Sequence, residues 1–143
     1  MQSDNSKLGE LPPHGKAIGI ELVSHGDRRC RLRLPYGEHL VGDPDTGIIH
    51  GGVITALLDN ASGWAVRGDA DWTPESSMAT LDLRIDYMRS AVPNMDLIAD
   101  AECYKITRSV AFVRAIAHQG DKEDLVASSV ASFMLATVNV PLP

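Results

Sequence analysis

Apolar residues follow three rhythms along the chain, and each predicts a different kind of element. From Ser3 to Gly15 there is none: the stretch is polar, holds two prolines and reads as a lead-in. Ala17 to Ser24 and Arg28 to Leu34 are short strand candidates separated by Gly26-Asp27, a hairpin-type turn signal. Tyr36 to Ile49 contains Gly37, Gly42, Pro44 and Gly47 and reads as a loop. Gly51 to about Arg67 is the one persuasive helix. It is apolar nearly all round, which predicts an enclosed helix rather than a surface one.

After a turn region with Pro74 the rhythm becomes two-fold. Ser77 to Met88 alternates, with Ala79, Leu81, Leu83, Ile85 and Tyr87 predicted on one face and Thr80, Asp82, Arg84 and Asp86 on the other. Asp96 to Thr107, Val110 to Gln119 and Leu125 to Val138 complete a set of long strands. Their links are short, Thr107-Arg108-Ser109 and Gly120 to Asp124, so neighbouring strands should be antiparallel. One enclosed helix and a run of antiparallel strands give an α+β fold, a curved sheet wrapped round a single central helix. The expected organisation is a lead-in over 1–16 and one domain over 17–140.

Composition changes this picture little, but it excludes partners. The net charge is −6 and no Lys/Arg cluster exists, which argues against a nucleic-acid or membrane-surface binder. The first sixteen residues lack the apolar core of a signal peptide. Asp59, Asn60 and Gly63 interrupt the most apolar window, so no membrane span is expected and a cytoplasmic location is the default. Cys30 and Cys103 are too few and too isolated for a disulfide framework, and should serve as small apolar residues. His14, His25, His39 and His118 show no ligand spacing, so neither a metal nor another cofactor is expected.

The candidate chemistry lies in residues 47–66, GIIHGGVITALLDNASGWAV. Two glycines after His50 suit a helix start whose backbone N–H groups stay open to a ligand. Seven residues after Gly52, Asp59 stands among Leu57, Leu58, Ala61 and Trp64, where an unpaired carboxylate is costly and needs a partner or a task. The pair reads as an oxyanion-stabilising helix start and a catalytic acid or base.

The H-G-G-x(6)-D pattern opening a central helix resembles the hotdog-fold acyl-CoA thioesterases. More narrowly it is similar to the phenylacetate-degradation branch of the 4-hydroxybenzoyl-CoA thioesterase superfamily. The stretch Thr80-Leu81-Asp82-Leu83-Arg84-Ile85-Asp86-Tyr87-Met88-Arg89 and the segment Lys105-Ile106-Thr107-Arg108-Ser109 extend the likeness, which covers roughly residues 17–138. The resemblance implies hydrolysis of an acyl-CoA to a free acid and CoA. It implies the N–H of Gly51 as oxyanion donor, Gly52 as its neighbour, His50 in support, and Asp59 as general base or as nucleophile through an anhydride. Thr80 matches a Ser/Thr that holds water or orients the acid, and is otherwise an ordinary strand threonine. Asn60 is a substrate contact or a helix-interior hydrogen-bonder. Arg89, Lys105 and Arg108 are candidates for the CoA phosphates, or plain solvated cations.

Gly51 and Asp59 are eight residues apart, hence roughly 12 Å along a helix axis. One chain cannot easily bring both to one carbonyl, so a homodimer with antiparallel central helices is expected to share the site, with a dimer of dimers as a further step. One departure stands out. Relatives often place Asn or Gln six residues before the histidine, where this chain has Pro44, with Asp43 and Asp45 as poor substitutes beside an oxyanion. The competing readings are a hotdog hydratase or dehydratase and a non-catalytic acyl-CoA binder. The acyl group itself is left open.

Overall fold

A computed structural model describes residues 11–136. The long helix is α2, Gly51–Arg67, as the pattern predicts. Before it come α1 (Pro13–Ile18), β1 (Glu21–Gly26), β2 (Arg29–Leu34), a 3-10 turn at Glu38–Leu40, and the short pair β3 (Val41–Asp43) and β4 (Ile48–Ile49). After it come β5 (Ser77–Tyr87), β6 (Leu97–Ile106), β7 (Val110–His118) and β8 (Ala127–Ala136). The expected end of the domain at 140, the last residues of the Leu125–Val138 run and the start of the lead-in lie outside the described residues.

Six strands form one antiparallel sheet in the order β1-β2-β6-β7-β8-β5, and α2 packs across β2, β6 and β7. Alternation builds the inner face: Leu97, Ala99, Ala101 and Cys103 of β6 and Ala111, Val113, Ala115 and Ala117 of β7 are all buried. Small residues there let the helix lie close to the sheet, and Leu57, Leu58, Ala61 and Trp64 fill the space between. β5 is an edge strand, an eleven-residue run paired only with β8.

The strand expected at Ala17–Ser24 is corrected. Its first residues close α1, which begins with proline at its first turn and stops at Gly19, whose φ of 92° is left-handed. The apolar run was therefore the end of one element and the start of another, and α1 straddles the expected boundary at residue 16. The loop over 36–49 is likewise not featureless, since it folds back as β3 and β4. The hairpin turn sits one residue later than its signal: Asp27 and Arg28 both have positive φ. Arg28 is held there by Asp69, whose Oδ1 accepts from its Nε at 2.7 Å.

The enclosure of α2 is half right. From Ala61 to Val66 every residue is buried, whereas Gly51, Gly52, Thr55, Asp59 and Asn60 are exposed or half-exposed. The N-terminal half of the helix is open on the side where β5 runs. None of the described helices is long and apolar enough to cross a membrane. Cys30 and Cys103 are free and buried, and burial pushes the Cys30 thiol up to about 12.

Candidate active site

The start of α2 is organised by His50, its N-cap. His50 Nδ1 accepts the Gly52 N–H at 2.8 Å, which places the proton of the neutral ring on Nε2. A Cβ on residue 52 would come within 2.9 Å of that Nδ1, so glycine is what lets the ring fold over the helix end. The His50 N–H donates to the Leu40 carbonyl at 2.8 Å, and the His50 carbonyl accepts from Val53 at 3.0 Å. Among the described residues the Gly51 N–H has no such partner. It faces outward at the positive end of the helix dipole.

Gly51 differs from Gly52 in a telling way. A Cβ at 51 would meet only Tyr87 Cε1, at 3.9 Å, which is ordinary contact. The chain itself has no steric need for glycine there. Space for an external group is then the simplest account of it.

Two turns along, Asp59 is half-exposed, not sealed among the apolar residues beside it in sequence. Thr80 Oγ1 donates to Asp59 Oδ1 at 3.3 Å. The alternation expected for β5 would have put Thr80 on the same face as Asp82 and Arg84. The structure corrects this. A β-bulge between Thr80 and Asp82 shifts the register, so that Thr80 pairs with Phe133 and Asp82 with Ser132. Leu81 is the extra residue and is half exposed, at 50%. The bulge reverses the strand's facing. Met78 and Thr80 therefore share the helix-facing side with Leu83, Ile85 and Tyr87, while Ala79 and Leu81 leave it. Beside Asp59 and Thr80 lies a cavity of about 150 Å³.

The other candidates are placed differently. Asn60 Nδ2 donates to the Ala56 carbonyl at 2.8 Å, the helix-interior bond, so its amide is occupied by the backbone. Arg89 is committed to its own loops: Nε to Asp124 Oδ1 at 3.0 Å, and Nη1 to the Ser90 carbonyl and to Gln119 Oε1 at 3.0 and 3.1 Å. Lys105 is exposed at the end of β6. Arg108, in the next turn, lines a separate hollow with Trp72, Asp69 and Asp71. Asp43, a possible stand-in for the absent amide at Pro44, spends its carboxylate on its own turn, accepting from Asp45 N–H at 3.1 Å and Thr46 Oγ1 at 2.9 Å. Among the described residues no cluster of three or more His, Cys, Asp or Glu could hold a metal.

Three residues escaped the sequence reading. Tyr87 and Thr55 both reach the Gly51 carbonyl, at 3.4 and 3.3 Å, and their hydroxyls touch each other. The peptide between Gly51 and Gly52 is thus held at both ends. Thr55, four residues after Gly51 on the same helix face, was legible in principle; Tyr87 keeps the face its alternation predicts, but only the fold sets it beside the helix start. Gly42 lies so close to the cap that a Cβ would come within 2.9 Å of His50 Cα.

Comparison with known proteins gives this geometry a family. The thioesterase superfamily profile matches residues 46–126, from just before the glycine turn to the residue preceding β8. A medium/long-chain acyl-CoA thioesterase of Salmonella typhimurium is 30% identical over 134 residues, covering 86% of this chain and 85% of that one. An esterase candidate of Halobacterium salinarum is 37% identical over 94 residues, covering 65% of this chain and 61% of that protein. Among solved structures, a conserved protein of Pseudomonas aeruginosa superimposes with a TM-score of 0.79 at 28% identity, covering 88% of this chain and 95% of its own. The sheet wrapped on one helix is the hotdog fold, and the chain belongs to the thioesterase superfamily as a thioester hydrolase.

Proposed function

We propose that the chain hydrolyses acyl-CoA thioesters at a site shared between two protomers, within the phenylacetate-degradation branch that its HGG and Thr80–Arg89 segments resemble. One observation carries the reading. Asp59 faces a cavity with a hydroxyl on one oxygen, and the only open amide of the glycine turn stands two turns away on the same helix. That separation is roughly 12 Å along the axis, too far for one carbonyl. A second copy pairing along the exposed edge of β5 brings an antiparallel α2, and with it a Gly51, to each Asp59.

In the hydrolytic route Asp59 takes a proton from water as the oxygen attacks the thioester carbonyl. The oxyanion that forms lies on the N–H of Gly51 of the partner subunit, where charge develops only in the transition state. Collapse breaks the C–S bond, and the proton on Asp59 passes to the leaving CoA sulfur. In the covalent variant the Asp59 carboxylate attacks first and collapse expels CoA as the thiolate. Water then opens the anhydride, returning Asp59 and the free acid, and the proton released goes to the thiolate. Thr80 steadies the carboxylate in either case. The His50 ring orders the turn, and its Nε2–H remains a donor toward the substrate side.

Arg108 and Lys105, exposed near one sheet end, remain our candidates for the CoA phosphates. Arg89 is better explained by the loops it ties. Pairing of dimers through the outer sheet face, where Tyr104, Val130 and Met134 are exposed, extends the proposed assembly. Two free buried thiols suit the cytoplasmic location we assign. The test is thiol release from a panel of acyl-CoAs. Turnover should fall about a hundredfold or more in Asp59→Asn with melting unchanged; an unaffected Asp59→Asn enzyme defeats the assignment.

A further inference from the structure

The cavity beside Asp59 continues along α2 away from the helix start. Asp59, Gly63 and Arg67 are spaced four apart and so stack on one helix face. Across from them β5 runs in the opposite sense, setting Thr80 against Asp59 and Met78 against Gly63. The contact with Gly63 is close: a Cβ there would lie 2.9 Å from Met78 Cε. Phe133, the partner of Thr80 in β8, forms the floor. At the far end the Arg67 guanidinium stacks 4.7 Å from the Trp64 ring centroid.

Polarity along this groove is arranged in order. A carboxylate and a hydroxyl stand at the end where a thioester would react. The guanidinium of Arg67, whose backbone lies two turns further along the helix, closes the other end against Trp64. Between them the walls are Pro12, Gly63, Trp64, Met78 and Phe133, with Asn60 beside Asp59 and no further charged group. An apolar chain leading away from a carbonyl at Asp59 finds matching walls only as far as Arg67, whose half-buried, ring-stacked charge resists displacement.

The geometry points to this groove as the acyl site, with Gly63 and Met78 setting how much of the acyl group is buried. The assignment rests on the acyl-CoA reading above and adds a substrate class to it. A cavity of about 150 Å³ accepts a benzene-sized guest. The matching substrates carry about six apolar carbons beyond the carbonyl, as a straight chain or a single ring. Further carbons gain nothing, because they meet Arg67 or return to water. Gly63 is essential to this shape, since any side chain there would drive Met78 into the groove. Met78 is the movable wall, unbranched and half-buried.

The experiment measures kcat/KM for straight-chain acyl-CoAs from acetyl to dodecanoyl, with benzoyl-CoA alongside, on wild type, Met78→Ala and Gly63→Ala. For wild type kcat/KM should climb about fourfold per methylene and level off near six carbons beyond the carbonyl. Removing the last three heavy atoms of Met78 should move the break about three carbons longer. Gly63→Ala should move it one or two carbons shorter, by about the length of the displaced methyl. Should Gly63→Ala fail to fold, Met78→Ala carries the test alone, being a truncation of a half-exposed side chain. A break that stays put in folded Met78→Ala, or a wild-type rise that runs unbroken to dodecanoyl, overturns the acyl-site assignment while leaving hydrolysis intact. A wild-type protein that cleaves no acyl-CoA overturns the functional reading itself, a separate outcome.

Discussion

Gly51→Pro is the substitution that isolates the proposed oxyanion donor. Gly51 is the first residue inside α2, a position where proline is favoured because its missing N–H would have no intrahelical partner. His50 before it has φ −59° and ψ 132°, within the extended region that a residue preceding proline must adopt. The nearest atom to a Cβ at 51 is Tyr87 Cε1, 3.9 Å away. The change therefore deletes one N–H and alters little else. Stability should stay within about 1 kcal/mol of wild type, with any shift favourable through a less flexible unfolded chain. Catalysis should suffer far more. Loss of one preorganised donor lowers kcat by about 10² to 10³, or about 3 to 4 kcal/mol of transition-state stabilisation. KM should change little, because the donor acts on charge absent from the ground state. The assay is continuous thiol detection with the best acyl-CoA, alongside thermal unfolding of the same samples. Gly51→Ala is the control for the added Cβ: it keeps the N–H, so its kcat should stay well above that of Gly51→Pro even where the Cβ crowds the substrate. A folded Gly51→Pro enzyme with kcat within about tenfold of wild type refutes the donor assignment.

Other expectations follow from particular contacts. Thr80→Val removes the hydroxyl on Asp59 while keeping shape; losing a bond of about 1 kcal/mol should reduce kcat about fivefold with KM nearly unchanged, read by steady-state kinetics. Gly42→Ala forces a Cβ to within 2.9 Å of His50 Cα, a backbone atom that cannot swing aside, and should cost about 1 to 3 kcal/mol in denaturant melts and loosen the cap. Asp100 tests the outer face. Burial favours its neutral form, but hydrogen bonds from Arg31 at 2.6 and 3.0 Å and from His118 at 2.8 Å, with the charges of Arg31 and Lys122, win and hold the carboxyl below its usual range. The stabilisation is therefore present above the ordinary carboxyl pKa of about 4 and is lost as pH falls through the lower folded value. Asp100→Asn should cost about 1 kcal/mol near neutrality after allowance for solvent, and the gap to wild type should close below about pH 4. A gap independent of pH contradicts that origin.

The sequence disclosed the elements better than their facing. α2 was legible from end to end because a glycine pair opens it and a mostly apolar run fills it. β6, β7 and β8 were legible because short polar links separate long apolar stretches. The bulge at Leu81 was not, because the alternation from Ala79 to Tyr87 is unbroken in residue type and the extra residue is a leucine. Only pairing with β8 decides which side Thr80 faces. The Pro12-Pro13 and Gly19 signals that bound α1 were present but lost to the apolar run that crosses Gly19. Arg89 shows a different limit. Its partners, Gln119 and Asp124, lie thirty or more residues away, so a cation that looked free in sequence is spoken for in the fold. The exposure of Asp59 is of the same kind, since its leucine neighbours point to the sheet while it points to the β5 flank.

Sharing of the site between two chains is the claim on which the chemistry depends, and subunit mixing addresses it directly. Gly51→Pro and Asp59→Asn proteins, each nearly inactive alone, are co-refolded in equal amounts and assayed together. A shared site leaves every mixed dimer with one damaged-twice and one intact centre, so activity should recover to about a quarter of wild type. Activity that stays at the average of the two parents, in samples shown to contain mixed dimers, places Gly51 and Asp59 of one chain in the same centre and contradicts the account.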